Sequence, residues 1–157
     1  MARQTFPYIG IPIPPTAPFP NGQVAYRPWL IALLRASNGN VLRCIVLPDS
    51  GADQCVFPLS FAIAMQLDPL QLKQQLTGGV GNTGNITYYD HLTVAIEGGP
   101  TFTAYAGFTE GLQAQGIGLL GQSGFFEKHV VTFDHAAREF HIDTLERPPQ
   151  PTAQATP

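Results

Sequence analysis

Leu47-Pro48-Asp49-Ser50-Gly51-Ala52-Asp53 decides the fold, because it places an acidic residue in a Ser-Gly turn at the end of an apolar run. Upstream, Trp29 to Arg35 and Val41 to Leu47 are apolar and β-prone. The stretch between them contains Asn38-Gly39, a pair that supplies the positive-φ positions a hairpin turn wants. Downstream, Gln54 to Pro58 is apolar again. The order is therefore strand, strand, tight turn, strand, with Asp49 just past a buried strand. Asp, Ser and Gly are common turn residues, so the weight of the motif lies in that position and not in the three letters.

A carboxylate so placed has one demanding use. Hydrolysing an amide with carboxyl groups alone takes two of them, one accepting a proton from water and the other donating to the carbonyl oxygen. Held about 3 Å apart, the two cannot both ionise and so share a proton. A following Ser can hydrogen-bond across such a pair, and a following Gly allows close approach of backbone and substrate.

Further along, Pro58 to Leu67 reads as a short helix, and Asp68-Pro69 as an N-cap with Pro at N1 opening a second over Leu70 to Leu76. Thr77 to Asn85, rich in Gly and Asn, reads as an exposed loop. His91 to Glu97 and Thr101 to Gly107 form a hairpin about Gly98-Gly99-Pro100. Gly116 to Gly121 is a buried apolar strand ending in glycine, followed by a helical turn at Ser123 to Lys128. Val130 to Asp134 and Glu139 to Ile142 close the chain as a last hairpin.

The 157 residues, 44% hydrophobic and 12% charged with 16 Gly and 15 Pro, suit one mostly-β domain of short strands. Its expected extent is 23–145. Six prolines between Pro7 and Pro20 resist helix and sheet and predict an extended arm over 1–22; Arg147 onward predicts a loose Pro-rich tail, 146–157. A net charge of −3 without a Lys/Arg run argues against a nucleic-acid partner. With no apolar run of about 18 residues and no leader-like segment, no membrane is expected and the reading is cytoplasmic. Cys44 and Cys55 read as buried reduced thiols, a disulfide arising only if their strands prove adjacent.

With these elements in place, the chain resembles the retropepsin family, the dimeric aspartic proteases that include the retroviral enzymes. A hydrophobic strand leads into Asp49-Ser50-Gly51-Ala52-Asp53, a strand and a Gly-rich segment follow, and Leu119-Leu120-Gly121 comes later in the family's order. The likeness covers about residues 24 to 143. It implies an all-β, single-lobe acid-protease barrel with one or two short helices, acting as a homodimer on a peptide or protein substrate. No cofactor and no metal are implied. Asp49 matches the catalytic Asp, Ser50 the Ser or Thr that grips between protomers, and Gly51 and Ala52 the substrate-facing turn. Asp53 matches the residue that holds substrate backbone and braces the dimer. Gly79, Val80 and Gly81 match a flap tip closing over substrate, and Ile117 is a candidate for lining a subsite. Leu119, Leu120 and Gly121 match the segment packed behind the catalytic loop.

The chain departs from the family pattern in three places. Pro48 replaces the aliphatic residue before the Asp and removes a backbone donor. Gln122 stands where the retroviral enzymes have Arg, leaving Asp53 without that ion-pair partner. The tail is Pro-rich where the retroviral termini interleave. One alternative is a peptide-binding or assembly module that has the fold and lacks turnover; another is maturation of a larger polyprotein. Gly79 to Gly84 satisfies G-x-G-x-x-G, but a helical reading precedes it and a strand follows, the reverse of a dinucleotide site. His129, His135 and His141 read as surface histidines, and Asp134 and Asp143 as strand-end turn residues.

Overall fold

The computed structural model describes residues 3–77 and 84–146. In chain order the strands are β1 (Arg3–Pro7), β2 (Ile9–Ile13), β3 (Gln23–Arg27), β4 (Leu30–Arg35), β5 (Val41–Pro48) and β6 (Val56–Pro58). A single α-helix among the described residues, α1 (Leu59–Ala64), follows. Then come β7 (Lys73–Thr77), β8 (Asn85–Ile96), β9 (Thr101–Thr109), β10 (Gly118–Leu120), β11 (His129–Asp134) and β12 (Glu139–Thr144). The fold is all-β with short helical pieces.

Alternation builds the barrel. Along β4, Leu30, Ala32 and Leu34 are buried while Ile31, Leu33 and Arg35 are exposed, the period of a strand with one face on a core. The order β4-β5-β10-β6-β9-β8 closes on itself through pairing of β4 with β8. Closure leaves these six strands without a free edge, and β7 extends the sheet beyond β8. Inside lie Leu34, Val46, Phe57, Met65, Leu92, Val94, Phe108, Leu120 and Phe125, all fully buried. At ~25 cal/mol per Å² of apolar surface this packing is the main stabilising term.

The β4–β5 turn is anchored from outside. Gly39 takes φ +86°, a conformation glycine adopts at no steric cost, while Asn38 does not share it. Instead the Asn38 and Asn40 side chains each donate to the Met65 carbonyl at 2.9 Å, tying the turn to the end of α1.

Five expectations are corrected. The prolines near the start do not prevent sheet: β1 pairs with β12, and β2 pairs with β3 with Pro12 opposite Val24. Both strands of a two-stranded ribbon are edges, where a missing N–H is tolerated. The second helix is limited to a 3-10 turn at Pro69–Gln71, capped by Asp68 Oδ1 accepting from Leu70 N at 3.0 Å. Lys73–Thr77 is instead a strand, held by its pairing with β8. Residues 123–128 form turns with hydrogen bonds reaching five residues back, Phe126 N to Gly121 O and Glu127 N to Gln122 O, because Gly124 at φ +96° breaks any helical run. Finally, His129 is buried, and Asp143 lies within β12, bonded to Arg3 at 2.9 Å.

Candidate active site

The stretch Asp49–Asp53 leaves the barrel where β5 ends. β10 runs parallel to β5, with Gly118 opposite Val46, Leu119 opposite Leu47 and Leu120 opposite Pro48. The ladder continues one step past the proline: the Asp49 N–H donates to the Leu120 carbonyl at 2.9 Å. Pro48 itself is buried, and its lost donor does not interrupt that bond.

Beyond this point the loop folds around its own carboxylate. Asp49 Oδ1 accepts from the Gly51 N–H at 2.9 Å, and the Asp49 carbonyl accepts from the Ala52 N–H at 3.1 Å. The Asp49 side chain is therefore oriented by the turn that follows it, an arrangement Asp favours. Asp49 is half-buried, while Ser50 and Gly51 are exposed. A carboxylate with one oxygen already bonded keeps the lone pairs of the other for a further partner.

The segment after β10 supports the loop from behind. The Gln122 N–H donates to the Ala52 carbonyl at 2.8 Å and the Ser123 N–H to the Asp53 carbonyl at 2.9 Å. The Gln122 side-chain Nε2 donates to the Ser50 carbonyl at 2.9 Å. Gly121 is buried at the crossing, and a Cβ there would overlap the Gln54 carbonyl and stand 2.7 Å from the Ala52 oxygen. Only glycine fits without moving backbone.

The expected site residues fall as follows. Asp49, Ser50, Gly51, Ala52 and Asp53 form one loop, and Leu120, Gly121 and Gln122 bond or pack directly against it. Leu119 is half-buried and pairs with Leu47 on one side and Val56 on the other. Ile117 is half-buried just before β10. The expected flap tip, Gly79, Val80 and Gly81, lies outside the described residues; β7 and β8 run antiparallel up to it, Thr77 opposite Asn85. Asp53 is exposed, and among the described residues no cation meets its carboxylate. Together with Gln122, Ser123, Phe126 and Glu127 it lines a groove of about 490 Å³ beside the loop. The Gln122 contact with Ser50 was not foreseen, because nothing in a lone Gln after Leu-Leu-Gly signals a bond to a carbonyl 72 positions earlier.

The two thiols are kept apart by β10, which lies between β5 and β6. Both are free, and burial pushes Cys44 up to about 12 and Cys55 up to about 11. They stay protonated at neutral pH and supply no nucleophile.

No protein-family model matches the chain, and no curated protein matches it in sequence. In fold it is similar to the crystal structure of a retropepsin-like aspartic protease from Rickettsia conorii. The TM-score is 0.52 over 90% of this chain and 95% of that one, at 20% sequence identity. At that identity the likeness concerns the architecture, the single-lobe acid-protease barrel. Among the described residues, no helix is long and apolar enough to cross a membrane.

Proposed function

We propose that the chain is an aspartic endopeptidase acting as a homodimer, with Asp49 of each copy forming the catalytic pair. The observation that carries this is the hold on Asp49 at the barrel mouth, one carboxylate oxygen bonded to Gly51 and its backbone bonded to Leu120. The sequence contains a single Asp-Ser-Gly, so the second carboxylate is contributed by a second copy.

In this reading the pair shares one proton. The ionised Asp49 takes a proton from water as the water oxygen bonds to the peptide carbonyl carbon, while the protonated partner gives its proton to the carbonyl oxygen. Collapse of the tetrahedral diol returns one proton to the leaving amine and breaks the C–N bond. Ser50 grips across the two loops, and Ala52 and Asp53 meet the substrate backbone. Ile117 lines a subsite.

The test is cleavage of a mixed peptide library between about pH 4 and 7, comparing the parent with Asp49→Asn over the range of concentrations in which dimers form. Activity in the parent alone, rising with concentration and blocked by a statine-type transition-state mimic, is the expected result. Cleavage by a protein that stays monomeric, or silence from a folded dimer, sinks the proposal. A silent dimer that still binds extended peptides would be a peptide-binding module on the same fold.

A further inference from the structure

The carbonyl groups of the Asp49–Asp53 loop are almost all engaged. Asp49's accepts from Ala52 N, Ala52's from Gln122 N and Asp53's from Ser123 N. Ser50's accepts from the Gln122 side chain. The Gly51 carbonyl accepts no bond from the described residues. One residue, Gln122, therefore brackets Gly51 on both sides, its backbone N–H on Ala52 and its side-chain amide on Ser50. The orientation of that amide is set by chemistry, since only its nitrogen can donate to a carbonyl.

We infer that Gln122 is a positioning residue for the catalytic loop. By occupying the Ser50 carbonyl it leaves that of Gly51 as the one backbone acceptor of the loop that no described residue engages, and so fixes where an extended substrate's N–H registers against Asp49. The inference rests on the protease reading. It assigns the work to the side-chain amide as a donor, not to the bulk or charge of the residue. The position also explains how the loop is braced with no cation from the described residues: Gln122 reaches the backbone of Ser50, and among the described residues no cation pairs with the Asp53 carboxylate.

Donor capacity can be switched by pH at this one position. A Glu there presents an O–H donor only when protonated, below about pH 4.3, and above that repels the Ser50 carbonyl. Gln122 is exposed, so Gln122→Ala and Gln122→Glu are expected to fold, with thermal midpoints within a few degrees of the parent as the control. For Gln122→Ala, kcat/KM falls about tenfold at every pH, the effect of one lost hydrogen bond on loop geometry. For Gln122→Glu, kcat/KM falls at least as far near pH 6 and recovers toward the parent as pH drops through about 4.3. A structural role alone would not produce that recovery. In parallel, hydrogen exchange of the Gly51 and Ala52 amides is expected to be about tenfold faster in Gln122→Ala than in the parent. Equal exchange, or a Gln122→Glu profile parallel to that of Gln122→Ala, overturns the inference. If the parent itself turns over no peptide, the protease reading falls, while the exchange measurement still decides whether Gln122 holds the loop.

Discussion

The backbone N–H of Asp49 donates to the carbonyl of Leu120 at 2.9 Å. This bond is the last rung of a parallel pairing between two strands 70 residues apart in sequence, and it makes the carboxylate's position a property of the barrel. A loop hung from strand ends is held more firmly than one that only spans them.

Gly121, the residue after that carbonyl, carries the first prediction. Gly121→Ala brings a methyl group into the backbone of Gln54 and Ala52, and the Ala52 carbonyl cannot move away without breaking the bond it accepts from the Gln122 N–H. We expect a loss of about 3 kcal/mol in unfolding free energy, at the upper end of ordinary overpacking, and a disordered Asp49–Asp53 loop. The urea midpoint checks it; a shift equivalent to under about 0.5 kcal/mol would show that the crossing is looser than its geometry.

Docking of β1 is predicted to depend on Phe6 more than on Arg3. Phe6 stacks on Phe140 with ring centroids 5.5 Å apart and closes against Gly99. The Arg3 guanidinium holds the Asp143 carboxyl below its usual range, but the Arg3 end of the pair is largely exposed, which keeps its contribution small. Phe6→Ala is expected to cost about 2 kcal/mol, less than for a fully buried ring, and Arg3→Gln far less. Chemical unfolding of both variants tests the ranking, and the opposite order would refute it.

The parts of this structure readable in the sequence are those whose local pattern and tertiary environment agree. β4 and β5, the β8–β9 hairpin and the Asp49 turn have apolar periodicity or turn chemistry that the barrel then uses directly. β7 was not readable, because Gln74 and Gln75 are exposed and only pairing with Tyr88 and Thr87 makes the segment a strand. The N-terminal prolines mislead for a related reason, since whether a proline breaks a strand depends on whether that strand is an edge. At the site, Asp49 through Asp53 was legible as a motif. Gln122's hold on Ser50 is a tertiary contact that its own neighbours do not encode.

The thiols are predicted to be inert in the folded protein. Cys44 packs against the core and Cys55 is fully buried, its Sγ lying 3.6 Å from the Ser123 carbonyl. With both held well above neutral by burial, the thiolate fraction at pH 7 is negligible. A disulfide-exchange reagent should label neither cysteine until denaturant is added, and oxidant should leave the oligomeric state of the parent and of a Cys44→Ser, Cys55→Ser variant equally unchanged. Rapid labelling of either cysteine in the native protein would contradict this.

His129 sets a limit on the acid side. Its ring stacks on Phe125 with centroids 4.8 Å apart, and its Nδ1 lies 2.8 Å from the Phe125 carbonyl, so Nδ1 carries the proton. Burial lowers its proton affinity, the Phe125 carbonyl opposes that in part, and Lys128 adds to the lowering. The folded state therefore binds the proton more weakly than the unfolded chain, whose histidine titrates near the ordinary value of 6.5. Stability from this group is complete above that value and declines as pH falls through 6.5 toward the lower folded pKa. His129→Asn keeps an amide donor for the Phe125 carbonyl and does not titrate. The parent's unfolding free energy should drop relative to the variant's between pH 7.5 and 5, and a difference independent of pH would contradict the assignment. A carboxylate pair sharing a proton favours acid, whereas this histidine favours neutrality. Stability from this histidine and the proposed chemistry therefore pull in opposite directions on the acid side.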